Sequence, residues 1–333
     1  MTVVFTDRLS EKGVGSLFCE APFGPFRKKT PDPFFLFQEV PATVLILLTN
    51  DDGIYAPGLA ALDRKMRQLG DVCLLSPATE QSGVGHSITY LTPLIVKEVF
   101  HGEQRWGWAI EGSPADCVKL GVTEFCDRTP DLVVSGINGG LNAGINVLYS
   151  GTVAAAIEGA FFGITSVAVS LEFNEHAQFD KAARLARIVI EQILEKKSPE
   201  PQLYNLNIPT TALEGTPQVR TVPMDVTRYG DKFEQRHDPW GREYYWLTGA
   251  PPKSTEAHET DLSALAKGHV ALTPLDYNMT RKAALEQMET WQFSLDQFQQ
   301  SDDPTDEGRR PAPLMRSGRN MQNVIGDNES KGT

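Results

Sequence analysis

Apolar and polar positions alternate along this chain in blocks, and the blocks predict elements. Val44-Leu-Ile-Leu-Leu-Thr49 is a short apolar run ended at once by Asn50, Asp51, Asp52 and Gly53, the pattern of a buried strand that stops in a turn. Leu59, Leu62, Met66 and Leu69 then recur at helical spacing after Pro57 and Gly58. Val72–Ser76, Asp131–Ser135, Ser166–Ser170 and Leu203–Ile208 read as further buried strands. Between them, Ala115–Phe125 reads as a short helix, Val153–Glu158 as an Ala-rich one, and Asp180–Glu195 as an amphipathic one through Leu185, Ile188, Val189 and Ile193. Tyr90–Glu111 reads as short extended pieces, a candidate hairpin. Strand and helix in alternation predict a doubly wound, Rossmann-like, mainly parallel sheet covered on both faces.

Past Thr210 the rhythm changes. Pro-rich turns, Tyr244-Tyr-Trp-Leu247, Gly268–Pro274 and a late helix near Lys282–Gln292 suggest a β-rich excursion, a candidate oligomerisation arm from about residue 210. Residues 1–42 show no sustained periodicity and are expected to be a flexible extension, and the polar stretch 299–333 a disordered tail, leaving 43–298 as the folded part.

Composition narrows the partners. The chain has 333 residues, 41% apolar and 22% charged, with a formal charge of -12. Such an acidic balance argues against nucleic-acid polymers and anionic membranes. No apolar run is long enough to span a bilayer, and no secretory leader is evident, so the cytoplasm is the expected location. Cys19, Cys73, Cys117 and Cys126 are scattered, with no Cys-x-x-Cys pair, and are expected to be reduced thiols.

Chemistry concentrates in three loops that the fold sends to the carboxyl ends of strands, where α/β sheets bind ligands. The first holds Asp51 and Asp52; the second, Pro77–Thr89, holds Ser82 and His86; the third runs from Gly136 through Asn138 and Asn142 to Ser150, Gly151 and Thr152. Two carboxylates, a hydroxyl and an amide carbonyl form an oxygen donor set suited to Mg2+ or Mn2+. Ser150 and Thr152 stand at a helix start, whose free N–H groups suit an anion such as phosphate. Each residue also has a plainer reading. Asn-Asp-Asp-Gly is a good turn, Ser82 an ordinary loop hydroxyl, Asn138 and Asn142 tolerant of left-handed backbone, and His86 a loop histidine rather than a general acid.

The combination is more specific than its parts. Asn50-Asp51-Asp52-Gly53 with Ala56-Pro57-Gly58, Ser82-Gly83 with Ser87-Ile88-Thr89, Gly112–Val118, and Ser135-Gly136-Ile137-Asn138 through Asn142 and Gly144 to Tyr149-Ser150-Gly151-Thr152 and Glu158-Gly159 resemble the SurE family of metal-dependent phosphatases. Asp238-Pro239-Trp240-Gly241 and Thr260-Asp261 extend the resemblance over about residues 43–280. It implies a 5'-nucleotidase acting on nucleoside monophosphates, with 3'-nucleotides and short polyphosphate as further substrates in some members. It also implies one divalent ion per subunit on Asp51, Asp52, Ser82 and Asn138, phosphate contacts from Asn142, Ser150, Gly151 and Thr152, catalysis through Asp51 and Asp52, and a homodimer or homotetramer. Two rivals stay open: an aspartyl-phosphate phosphatase, whose pattern wants its aspartates two apart, and a nucleotide-binding regulatory module without turnover.

Overall fold

The computed structural model describes residues 43–227, 232–248 and 258–295. The expectations for residues 1–42 and for 299–333 lie outside the described residues, as does Cys19. The chain divides into two compact units, one up to Thr273 and one from Pro274.

In the first unit the apolar runs become strands β1 (Val44–Thr49), β2 (Gly70–Pro77), β3 (Val96–His101), β4 (Gln104–Ile110), β5 (Leu132–Gly139), β6 (Thr165–Leu171), β7 (Leu203–Ile208) and β8 (Val219–Thr221). They are followed by β9 (Lys232–His237), β10 (Glu243–Thr248) and β11 (Val270–Leu275). One nine-stranded sheet runs in the order β3-β4-β2-β1-β5-β6-β7-β11-β8. Pairing is parallel from β4 through β2, β1, β5 and β6 to β7, and again between β11 and β8, while β3 is antiparallel to β4. The predicted doubly wound sheet is therefore present, and Tyr90–Glu111 supplies its edge hairpin. The region after Thr210 departs from expectation: β8 and β11 return to the main sheet, and only β9 and β10 form a separate antiparallel pair.

Helices α1 (Pro57–Met66) and α4 (Phe179–Lys196) cover one face, packing Leu59, Leu62 and Met66, and Val189, Ile190 and Ile193, against Ile46, Leu48, Val134 and Val167. The buried stripe of α4 is completed by Ala182, Ala183 and Ala186, whereas Ile188 faces out. Small alanines let the helix approach the sheet closely, and a pattern of large apolar residues does not register them. Helices α2 (Pro114–Leu120) and α3 (Gly151–Phe161) lie on the other face, packing Cys117, Val118 and Ala155 over Leu47, Leu75 and Val133. Each fully buried Leu or Ile contributes roughly 1.5–3 kcal/mol relative to exposure. Helix α2 is shorter than expected, since residues Gly121–Phe125 continue it as a wider turn. A further small helix, α5 (Asp261–Ala266), packs Ala264 and Leu265 with Ala143, Val222 and Ala271. The described part of the second unit holds α6 (Lys282–Met288).

One topological fact positions everything that follows. The chain leaves β1 for β2 on one side, and β5 later enters on the other side of β1. The crevice at the carboxyl ends of β1 and β5 is thus the point where strand order reverses, the usual ligand position in such sheets.

Candidate active site

Asp51 and Asp52 occupy that crevice directly after β1. The turn is built locally: Asn50 Nδ2 donates to Gly53 O at 3.0 Å, and Ser76 Oγ at the end of β2 donates to Asn50 Oδ1. Asn50 is fully buried and so braces the acidic turn from behind. Gly58 has its own reason to be glycine, because a Cβ there would sit 2.1 Å from the Ile137 carbonyl oxygen. The start of α1 can therefore press against the end of β5.

The two carboxylates differ in surroundings. Asp51 is buried, and its Oδ1 accepts the Thr152 hydroxyl at 2.5 Å. Burial pushes its pKa up to about 6; the Thr152 hydroxyl opposes that rise, and the negative charge of Asp52 adds to it. Asp52 is less buried and accepts the Gly139 N–H at 3.1 Å through Oδ2. Its pKa is also raised, by burial first and by the charge of Glu80, with the Gly139 N–H acting the other way. Two neighbouring carboxylates are thus held where their charge is costly.

Asn138 arrives on β5, not in a loop after it, because the strand runs on to Gly139. Its pairing with β6 shifts register between Ser135 and Asn138, which re-aims the strand end. Asn138 Nδ2 donates to Gly140 O at 2.7 Å, and among the described residues its side-chain carbonyl oxygen accepts no hydrogen bond. Gln81 N donates to Asp51 O at 2.8 Å and ties the Ser82 loop to the acidic turn. Ser82 is exposed and donates to Glu80 Oε1 at 2.6 Å. Among the described residues no cluster of three or more His, Cys, Asp or Glu side chains is present. Any cation here would have to draw on hydroxyl and amide oxygens as well as carboxylates, and Ser82 and Asn138 offer them.

The start of α3 closes the crevice. Ser150 caps it, accepting the Val153 N–H at 3.1 Å. A Cβ on Gly151 would lie 2.9 Å from Asp51 Cβ, so glycine is what allows the helix start to reach the carboxylate. Thr152 is fully buried and directed at Asp51, which receives both its hydroxyl and its backbone N–H. Asn142 is turned inward too: its Nδ2 donates to Ser170 Oγ at 2.9 Å and to Thr152 Oγ1 at 3.4 Å. The structure gathers Asp51, Asp52, Asn138, Asn142 and the Ser150–Thr152 helix start at the crevice, while Ser82 is tied to it through Gln81 and turns its hydroxyl to Glu80. It gives the side chains of Thr152 and Asn142 to Asp51 and its supports, however, rather than to open space.

Residues missed in the sequence stand behind them. Asn207 on β7 grips Asn142 from both sides, its Oδ1 accepting Asn142 N–H at 2.8 Å and its Nδ2 donating to Asn142 O at 3.1 Å. Asn205 Nδ2 adds a bond to the same carbonyl at 2.7 Å. Asp261 accepts Gly144 N–H at 2.8 Å and anchors the far end of the loop. A signal for the first two exists in Leu203-Tyr-Asn-Leu-Asn-Ile208, where two asparagines two apart share one face of an otherwise apolar strand.

His86 is placed by other bonds. Its Nε2 meets Glu158 Oε2 at 2.8 Å, its ring stacks on Phe161, and Lys119 Nζ meets Glu158 Oε1 at 2.6 Å. Glu158 is about 9 Å along α3 from Thr152. The histidine therefore fastens the Ser82 loop to α3, in keeping with its plainer reading.

Comparison with known proteins agrees with this geometry. A family model described as survival protein SurE matches residues 46–235. The chain is 58% identical over 247 residues to a protein of Rhodopirellula baltica named 5'-nucleotidase SurE, covering 74% of this chain and 98% of that one. It is 42% identical over 252 residues to a protein of the same name from Desulforudis audaxviator, covering 74% and 96%. Among solved structures it resembles the SurE protein from Aquifex aeolicus with a TM-score of 0.65 and 33% identity, over 74% of this chain and 98% of that one.

Proposed function

Because this chain belongs to the SurE family, we propose that the crevice between β1 and β5 hydrolyses nucleoside 5'-monophosphates to nucleoside and phosphate with one divalent cation, Mg2+ or Mn2+. The observation that carries the reading is the meeting of Asp51, Asp52 and Asn138 at the ends of adjacent strands, beside the start of α3. The donor set fits a hard cation: two carboxylates whose charge burial disfavours, the side-chain carbonyl oxygen of Asn138 and the hydroxyl of Ser82. When bound, the ion supplies positive charge to a phosphoryl oxygen and lowers the pKa of a water molecule.

The chain's own residues divide the remaining work. Thr152 fixes the orientation of Asp51, while the Gly139 N–H fixes that of Asp52. One of these carboxylates orients the attacking water and takes its proton. The Ser150 hydroxyl and the Gly151 N–H at the start of α3 hold phosphate oxygens, helped by the helix dipole, while the next two N–H groups go to Asp51 and to Ser150 Oγ. Asn142 and Thr152 serve the phosphate at one remove, by keeping the loop and Asp51 in place. A cavity of about 860 Å³ beside the turn, lined by Tyr55, Gln81, Thr89 and Lys97 among others, has room for a sugar and base. Nucleoside 3'-monophosphates and short polyphosphate are included as secondary substrates, since the phosphate end is what the crevice holds.

The β9–β10 pair supports a homodimer or homotetramer. Phe233, Tyr245, Trp246 and Leu247 are all more than half exposed, and a lone two-stranded pair is marginal in water. No helix among the described residues is long and apolar enough to cross a membrane. The compartment proposed is the cytoplasm, on the scattered cysteines.

The test is phosphate release across a panel of nucleoside 5'- and 3'-monophosphates and polyphosphate, with and without EDTA. Release that EDTA abolishes and Mg2+ or Mn2+ restores is expected. Nucleotide-dependent thermal stabilisation without any release would overturn it in favour of a regulatory binding module.

A further inference from the structure

Below the crevice, partway along the strands, the fold brings together two cysteines that the nucleotidase reading does not use. Cys73 lies on β2, opposite Leu47 of β1, and is buried. Cys126 follows the wide turn Gly121–Phe125, its N–H bonded to Gly121 O at 2.9 Å, and is partly exposed. Fifty-three positions apart in sequence by their numbers (126 − 73), the two side chains pack into one apolar cluster, close enough for each to act on the other's ionisation. They line one cavity of about 630 Å³, together with Arg105, Trp108, Phe125 and Asp127. Solvent therefore reaches a pair of thiols that the fold has gathered into one cluster.

The neighbours hold that cluster in place. Phe125 packs edge-on against Trp108 with ring centres 4.9 Å apart, and the Arg105 guanidinium lies 4.5 Å over the same indole. The turn that carries Cys126 is thus clamped to β4, next to β2 in the sheet. Cys117, by comparison, is fully buried.

We propose that Cys73 and Cys126 form an oxidation site that closes to a disulfide in the presence of hydrogen peroxide. The two thiols divide the chemistry. Cys126 is the thiol that solvent reaches, whereas Cys73 is buried; the neighbouring Cys73 side chain also holds Cys126 below its usual range, while Cys126 and burial push Cys73 up. Cys126 is accordingly the nucleophile and Cys73 the resolving thiol. The Cys126 thiolate attacks one peroxide oxygen, the O–O bond breaks, and the departing hydroxide takes up the thiol's proton as water, leaving a sulfenic acid. Cys73 sulfur then attacks the sulfenic sulfur: the S–S bond forms, the S–O bond breaks, and the leaving hydroxide takes the Cys73 proton as a second water. Two thiols are oxidised and one peroxide is reduced to two waters.

The experiment treats the full chain with hydrogen peroxide, blocks the remaining thiols with iodoacetamide under denaturing conditions, and identifies the peptides by mass spectrometry. A linked peptide pair containing Cys73 and Cys126 is expected, with loss of labelling at both, retention at Cys117, and reversal by dithiothreitol. The oxidised protein is expected to melt at a higher temperature than the reduced one, since the cross-link closes a long loop of the unfolded chain. Cys126→Ser is expected to abolish both the link and the melting shift, and Cys19→Ser to leave both intact. A Cys19–Cys126 link, or sulfinic acid on Cys126 with Cys73 still free to label, would overturn the proposal. Because none of these readouts depends on phosphate release, the result stands apart from the nucleotidase assay.

Discussion

The crevice at the end of β1 and the β9–β10 pair are both rich in residues that sequence reading flags, yet they are built in opposite ways. In the crevice, polar groups are buried and satisfied one by another: Asn207 and Asn205 hold Asn142, Asn142 bonds Thr152, and Thr152 bonds Asp51. In the β9–β10 pair, aromatic groups stand exposed, with Trp240 80% and Trp246 58% accessible. The first region is held together within one chain, because a buried donor left unpaired costs about 1–3 kcal/mol; among the described residues, single atoms such as Asn205 Oδ1 and Ser135 Oγ are left without a partner. The second leaves apolar area in water, which a second subunit would cover in the proposed homodimer or homotetramer.

The comparison breaks or sharpens at specific residues. Asp51→Asn removes a charge from the crevice while keeping its shape. Phosphate release is expected to fall by at least about 10²–10³-fold, with a matching loss of cation affinity in a Mn2+ titration. Unchanged activity and affinity would remove Asp51 from the site. Next in size is the pair of exposed aromatics: Phe233→Glu with Trp246→Glu is expected to weaken self-association by about 2 kcal/mol or more. Sedimentation should then show monomer where the parent protein shows dimer or tetramer, and a variant that sediments like its parent would mean the β9–β10 pair is not the joint.

Asn207→Ala tests whether pre-organisation reaches back to β7. A loss of about 10- to 100-fold in kcat and cation affinity is expected, with KM for nucleotide much less affected. Asn207→Asp, which keeps the acceptor for Asn142 N–H but not the donor, should lose less than Asn207→Ala. If KM alone rises, the relay through Asn142 and Thr152 is wrong.

The smallest effect concerns pH. Burial by itself would raise the Glu158 carboxyl, but hydrogen bonds and charge from His86 and Lys119 outweigh it and hold the group below its ordinary value of 4.5. A carboxylate lowered in the folded state binds fewer protons there than in the unfolded chain. Its contribution is therefore present above pH 4.5 and lost as pH falls through the lower folded value. Glu158→Gln should flatten that acid limb in urea unfolding followed across pH, while changing stability at neutral pH by about 1 kcal/mol or less. An acid limb as steep as the parent's would assign the loss to other carboxylates.

Much of the fold was legible because its signals are local. Val44–Thr49 and Leu203–Ile208 are strands within the same limits that their apolar runs suggest, and Ser150 caps the helix its hydroxyl announces. Less legible was whatever depends on a partner far along the chain. Asn138 was read as a loop residue because Gly136, Gly139 and Gly140 break the pattern, yet pairing with Ser170 extends β5 through it. Likewise β11 looked like part of an arm until the main sheet claimed it, next to β7.

In the site the same division holds. Residue types and their order along the chain are enough to propose Asp51, Asp52, Ser82 and Asn138 as an oxygen donor set and to announce Ser150–Thr152 as a helix start, since donor chemistry and capping belong to individual residues. Which of these groups face one another was decided only by the tertiary structure. Thr152 and Asp51 are 101 positions apart, and Asn142 and Asn207 are 65. Hydrogen bonds of that span exist only after the parallel sheet has ordered β1, β5, β6 and β7 side by side. Direction is a property of that packing, so Thr152 and Asn142 were recognised by kind in the sequence and were assigned to Asp51 and its supports by the fold.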